Sequence, residues 1–349
     1  MRRPHLALFA VALVVAAACS SDADSATVDA SSTSSPETSA TVSSTTAAPP
    51  STPSTNATNE ASATPTAAEV VGADPDVAAE MQRVAGTAED GPFYMVNLLD
   101  FHDELADYPP DSEFYGSTGR EANDRYSEVV LPALASIGAT PVYVGAVERS
   151  LIPGEVEWEQ IGIVHYPSRA ALLEMSAQPD FVAGSVHKDA SLANTFAMVT
   201  DRLELPESPP VDPASLPHPP TDDDPGFMMV HVIDFHDEAR YEPGDEPDDA
   251  PISGEEAVQR YSLNAGVVAA PLGVRPRAWF DVQGALLGDH QRWEQVRLNE
   301  FPSVAAFDTL TSDSTWQSGS FHRTAGINET YALMTRPLVY DRSFGEPAP

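Results

Sequence analysis

Apolar positions follow three regimes along this chain. Behind Met1-Arg2-Arg3, the run from Leu6 to Ala18 is almost unbroken, yet shorter than the roughly 17–25 residues a membrane-spanning helix needs. It predicts a signal peptide over residues 1–18. From Ser20 to Ala68, large aliphatic and aromatic side chains nearly vanish among Ser, Thr, Ala and Pro. Such a segment cannot repay the entropy of ordering, so residues 19–75 are expected to form a disordered tether. Beyond it, short apolar runs recur at regular spacing.

Phe93–Phe101 and Phe227–Phe235 are continuous apolar runs with β-formers, which predicts strands buried on both faces. An acidic, proline-containing loop follows each. Thr118-Gly119-Arg120-Glu121 and Ser253-Gly254-Glu255-Glu256 then fit the capping box, in which hydroxyl and carboxylate reciprocally satisfy free backbone N–H groups, so a helix starts at each. The first of these is expected to break near Pro132. Strands are predicted at Pro141–Val147 and Trp158–Tyr166, and at Pro276–Val282 and Trp293–Phe301. Pro167-Ser168 and Pro302-Ser303 open a second helix in each copy, and Asn194–Thr200 and Glu329–Thr335 close each copy as a strand.

The order βαββαβ is thus written twice. Asp100–Glu104 (D-F-H-D-E) returns as Asp234–Glu238 after 134 residues. Arg125-Tyr126-Ser127, Trp158-Glu159-Gln160 and Pro167-Ser168 return after 135 as Arg260-Tyr261-Ser262, Trp293-Glu294-Gln295 and Pro302-Ser303. So constant an offset marks a duplicated domain rather than a short solenoid repeat. The reading is an α+β chain with two tandem ferredoxin-like domains, 90–203 and 225–340, joined by a proline-rich spacer at 204–224. A sheet with no polar face needs cover, so the copies are expected to close on each other as an intrachain pseudo-dimeric α/β barrel, the whole being a monomer.

Val96-Asn97-Leu98-Leu99-x-Phe101, the Arg-Tyr of the first helix, Trp158 leading to Tyr166-Pro167-Ser168-Arg169, and His187-Lys188-x-Ala190 resemble the bacterial domain-of-unknown-function family 1330. The resemblance implies a ferredoxin-like fold of the dimeric α/β-barrel superfamily, which includes cofactor-independent monooxygenases, lactone isomerases and haem-dependent dismutases. Copy two departs from it at His231 for Asn97, Phe301 for Tyr166 and Val304 for Arg169.

Charge and cysteine content narrow the functions. With 18 Lys and Arg against 53 Asp and Glu, the net charge of −35 excludes a nucleic-acid binder working by charge. The single cysteine excludes an intramolecular disulfide, a four-cysteine zinc site and a C-x-x-C pair. Val15-Ala16-Ala17-Ala18-Cys19 resembles a bacterial lipobox, which implies a lipid on Cys19, membrane anchoring and an extracytoplasmic location. A plain secreted protein is the alternative.

No G-x-S-x-G, H-E-x-x-H, phosphate loop or c-type haem motif occurs, so no cofactor or metal is assigned. Asp100-x-His102-Asp103-Glu104 reads as a solvated acidic loop or a divalent-metal cluster. Asn97 and His231 occupy matching positions of the first strand and are candidates to face a lumen, His231 as a general base; a satisfied core polar residue is the plainer reading. Ile161 and Ile163, with Val296 and Leu298, are expected on the helix-covered face. Trp158 and Gln160, and Trp293, Gln295, Arg297 and Asn299, would then line the lumen. Arg297 beside His231 would hold a carboxylate or enolate. His187 and His322 are further ligand or acid–base candidates, or helix-end packing residues. The expected role is binding of a small molecule between the domains. The alternatives are a cofactor-independent oxygenase or isomerase of a small acidic or aromatic compound, and a structural envelope protein.

Overall fold

The computed structural model describes residues 74–152, 154, 156–205, 212–288 and 291–344. The predicted signal peptide, Cys19 and nearly all of the tether lie outside the described residues, as do 206–211 of the spacer. The order is α1 (Pro75–Val84), β1 (Phe93–Phe101), α2 (Gly119–Ser136), β2 (Thr140–Ser150), β3 (Gln160–Tyr166), α3 (Arg169–Ser176), α4 (Pro179–Ser191) and β4 (Leu192–Arg202). It continues with β5 (Phe227–Phe235), α5 (Gly254–Ala269), β6 (Arg275–Leu287), β7 (Gln295–Phe301), α6 (Val304–Ser312), α7 (Ser314–Gly326) and β8 (Ile327–Tyr340). The eight strands close into one antiparallel barrel in the order β1-β3-β2-β8-β5-β7-β6-β4.

Each half contributes a four-stranded ferredoxin-like sheet, and its edge strands pair across to the other half. Ala146 lies opposite Arg336 where β2 meets β8, and Met198 opposite Ala285 where β4 meets β6. Closure leaves no free sheet edge, which is why strands apolar on both faces are tolerated. Inside the barrel, Val96, Leu98, Ile161 and Ile163 meet Val230, Val232, Val296 and Leu298 in one continuous cluster, all of them buried. Burying each such side chain stabilises the fold by about 1.5–3 kcal/mol. The lumen is therefore a packed core. Trp158, Phe196, Trp293 and Tyr331 cap one end, while Phe344 stacks on Phe280 and tilts against Tyr94 at the other.

Helices cover the outside of each sheet. α1, which the sequence reading left in the tether and the stretch after it, is nucleated by the Asp74 carboxylate bonding the N–H groups of Asp76 and Val77. It buries Ala78 and Met81 in the same cluster as Leu286 and Leu287 at the β4–β6 seam. The second predicted helix of each half is two helices, α3 then α4 and α6 then α7, so His187 and His322 sit within helices rather than after them. Pro132 does not break α2. Pro132 and Glu128 are both exposed there, so the carbonyl freed by the missing N–H faces water.

Matching hydrogen bonds pin the two halves. Asp90 accepts from the N–H groups of Arg169 and Ala170 at the start of α3, and Asp224 from Val304 and Ala305 at the start of α6. The capping box at Thr118 is complete. At Ser253 only the hydroxyl arm forms, because the Glu256 carboxylate bonds Arg260 instead.

Candidate functional site

The faces of β3 and β7 are the reverse of the sequence expectation. Ile161, Ile163, Val296 and Leu298 point into the lumen, and Gln160, Gln295, Arg297 and Asn299 lie on the helix-covered side. Asn97 and His231 share that outer side, since Met95 and Leu99 pack with Tyr126 and Phe181 on α2 and α4. Strands buried on both faces give no polar alternation to distinguish lumen from exterior. A lumen sealed by eight strands takes only apolar side chains, whereas a layer beneath two helices admits polar ones that can reach them. Trp158 and Trp293 do lie in the lumen, because they precede the first residue of their strands and escape its alternation.

The two halves use their helix–sheet layers differently. In the N-terminal half, Asn97 is fully buried and donates from Nδ2 to the carbonyls of Met95 and Gly162, each at 3.3 Å. It is a satisfied core residue. In the C-terminal half, His231 and Arg297 are direct cross-strand partners on β5 and β7. The Arg297 side chain donates through Nε to the Gln295 carbonyl oxygen and through Nη1 to Ser262 Oγ on α5, at 2.9 Å. Its guanidinium lies 4.3 Å over the Trp279 ring, and the Trp279 indole N–H donates to Asn299 Oδ1 at 3.3 Å. Gln295 in turn donates to Glu255 at 3.4 Å.

Arg297 is 7% exposed, yet no carboxylate of the described residues stands within ion-pair distance of it. Burial pulls it down to about 10, against the opposing pull of Glu255 and Tyr261. His231 keeps partial solvent access, but dense surrounding protein first, then Arg323 on α7 and Arg297, lower its imidazole to about 3. It is neutral at pH 7. Tyr261 and Trp316 wall the opposite side, edge to face, and burial raises the Tyr261 hydroxyl. The result is a helix–sheet layer that gathers aromatic side chains, one buried cation without an ion-pair partner among the described residues and one neutral imidazole.

His187 and His322 are not part of it. Each is hydrogen-bonded at Nδ1 to a tyrosine of the loop after the first strand of its half, Tyr108 and Tyr241, at 2.7 Å in both halves. Burial and then a nearby arginine lower both. Asp100 of the acidic motif accepts from Asn194 at 2.7 Å, and among the described residues no group of three or more His, Cys, Asp or Glu is gathered to hold a metal. No described helix is long and apolar enough to cross a membrane. The sequence reading missed Trp279, Ser262, Tyr261, Trp316 and Arg323. A signal existed: of the four tryptophans, 158 and 293 repeat, while 279 and 316 stand opposite Val144 and Phe181 and belong to one half only.

No protein-family model matches the chain, and no curated protein does. Among solved structures, the chain is similar to a Rhodopseudomonas palustris protein of unknown function, 27% identical over 38% of this chain and 95% of that one, with a TM-score of 0.33. It is also similar to an anthrone oxidase-like protein, 12% identical over 72% and 93% of the two chains, TM-score 0.39. A chlorite dismutase variant from Candidatus Nitrospira defluvii is 12% identical over 72% and 93%, TM-score 0.38.

Proposed function

We propose that the C-terminal half binds a small aromatic molecule bearing a carboxylate or enolate, at the polar group around Arg297 between its sheet and helices α5 and α7. One observation carries this reading: Arg297 is buried with hydrogen bonds only to the neutral partners Gln295 and Ser262, while Glu255 acts on it from beyond ion-pair distance. A buried guanidinium with no carboxylate in contact is costly, and an anionic ligand offsets that cost with charge-assisted hydrogen bonds. Trp279, Tyr261 and Trp316 supply the apolar walls that a planar ring would meet. The packed barrel interior speaks for this layer rather than the lumen as the binding place.

A second reading is a cofactor-independent oxygenase or isomerase, favoured by the neutral imidazole standing opposite the guanidinium. His231 would accept a proton from the carbon acid and Arg297 would hold the enolate. An imidazole this weakly basic is a poor base until an anion at Arg297 raises it, so binding precedes chemistry in either case. We further propose that the two halves arose by duplication within a lineage related to family 1330, and that a lipid on Cys19 holds the protein to the outer side of a bacterial membrane.

Calorimetric titration with benzoate tests the binding reading. Saturable binding that Arg297→Met abolishes supports it. Binding unchanged in that variant, or no binding by benzoate or its hydroxylated analogues, overturns it.

A further inference from the structure

Residue by residue, the helix–sheet layers of the two halves differ in access and in charge. Asn97, Tyr126, Phe181 and Lys188 of the N-terminal half recur as His231, Tyr261, Trp316 and Arg323 after 134 or 135 residues. The first four are all buried, whereas the second four all keep partial solvent access. The ring pair itself is retained, Tyr126 with Phe181 at 6.2 Å and Tyr261 with Trp316 at 6.1 Å. Water therefore reaches the inner side of the second layer around an unchanged ring pair.

The cations differ as well. In the N-terminal half Gly162 stands where the other half has Arg297, and the remaining cation, Lys188, is paired with Asp189 at 3.1 Å. In the C-terminal half Thr324 replaces that aspartate, and among the described residues no carboxylate lies within ion-pair distance of Arg323. Arg323 is aimed at the sheet. Trp316 packs with the cluster of Met229, and Ile327, just after α7, with that of Ile233. Arg323 follows Trp316 by two turns on the same helix face, which sets it over the strand position between them, that of His231. After burial, Arg323 is the largest influence on the His231 imidazole, which it lowers, and on the Tyr261 hydroxyl, whose rise it opposes; Arg297 acts the same way more weakly. Two guanidinium groups thus face one imidazole, and like charges so placed repel unless an anion stands between them.

We propose that the ligand of this layer carries two anionic groups on one aromatic ring, one held by Arg297 and the other by Arg323, an inference that rests on the anion site proposed above. A dicarboxylate satisfies both forks by charge-assisted hydrogen bonds and relieves their repulsion, which a single carboxylate does for one of them only.

Calorimetric titration of the full chain at fixed ionic strength tests this, with benzoate, phthalate, isophthalate and terephthalate as probes. At least one dicarboxylate should bind about tenfold or more tighter than benzoate, the gain expected of one further charge-assisted hydrogen bond. Arg323→Gln should erase that gain. So should Thr324→Asp, which supplies beside Arg323 the carboxylate that Asp189 supplies beside Lys188. A gain that persists in either variant, or no dicarboxylate tighter than benzoate in the wild-type protein, overturns the inference and leaves the anion site at Arg297 standing. Failure of benzoate and of every dicarboxylate to bind overturns both.

Discussion

The helix–sheet layers of the two halves stand on matching strands and helices and do opposite things. In the N-terminal half, Tyr126, Val130, Leu134 and Phe181 are sealed against β1 and β3 in one unbroken apolar cluster. In the C-terminal half, α5 buries only Gly254, Ala257 and Val258, and leaves Leu263 and Val267 about 70% exposed. Its apolar packing splits into two smaller clusters, one around Phe227 and Phe301 and one around Ile233 and Phe235. The polar group of His231, Arg297, Gln295 and Ser262 belongs to neither. One copy of a repeated layer can keep the packing that holds the barrel while the other trades packing for a polar site.

The largest expected effect tests the packing side of that contrast. Phe181→Ala should destabilise the protein by about 3–5 kcal/mol in urea unfolding. Trp316→Ala, at the matching position of the looser layer, should cost only about 1 kcal/mol. Equal losses would dissolve the asymmetry.

Next in size, Arg297→Met removes a buried charge with no carboxylate in ion-pair contact, so the free protein should be unchanged or more stable by up to about 1–4 kcal/mol while benzoate binding disappears. A loss as large as that of Phe181→Ala would make Arg297 a structural residue instead.

A smaller effect concerns pH. His231 is lowered from 6.5 to about 3 in the folded protein, so between those values the unfolded chain binds the proton more readily. Its contribution to stability is complete above pH 6.5 and declines as the pH falls toward 3. His231→Gln should flatten that part of the stability–pH curve, whereas Asn97→Gln should leave its slope unaltered. An unchanged slope in His231→Gln would mean the imidazole titrates normally. Smallest of all, Tyr241→Phe and Tyr108→Phe each remove one hydrogen bond to a histidine and should cost about 0.5–1.5 kcal/mol alike, measured by thermal unfolding. Unequal losses would extend the asymmetry to the loops.

Much of this fold was legible because the chain states it twice. The offset of 134–135 residues aligned both sets of strands, and β1 and β5 begin and end where their apolar runs do. The hydroxyl caps at Thr118, Ser168, Ser253 and Ser303 placed four helix starts. α4 and α7 were not told apart from the helices before them because, Phe181 aside, they pack through Gly184 and Gly319, Ser185 and Lys188 rather than through an apolar stripe. The orientation of β3 and β7 was not readable, since neither face of a doubly buried strand is polar throughout. His231 and Arg297 stand opposite each other on adjoining strands, on the helix-covered side of the sheet rather than in the lumen.

The four tryptophans divide evenly: 279 and 316 stand in the layer with Arg297, 158 and 293 at the lumen end. Following all four indole resonances of labelled protein during a benzoate titration thus locates the ligand directly. The account predicts that the signals of Trp279 and Trp316 move to saturation while those of Trp158 and Trp293 stay in place. Movement confined to Trp158 and Trp293, or none at all, would contradict it.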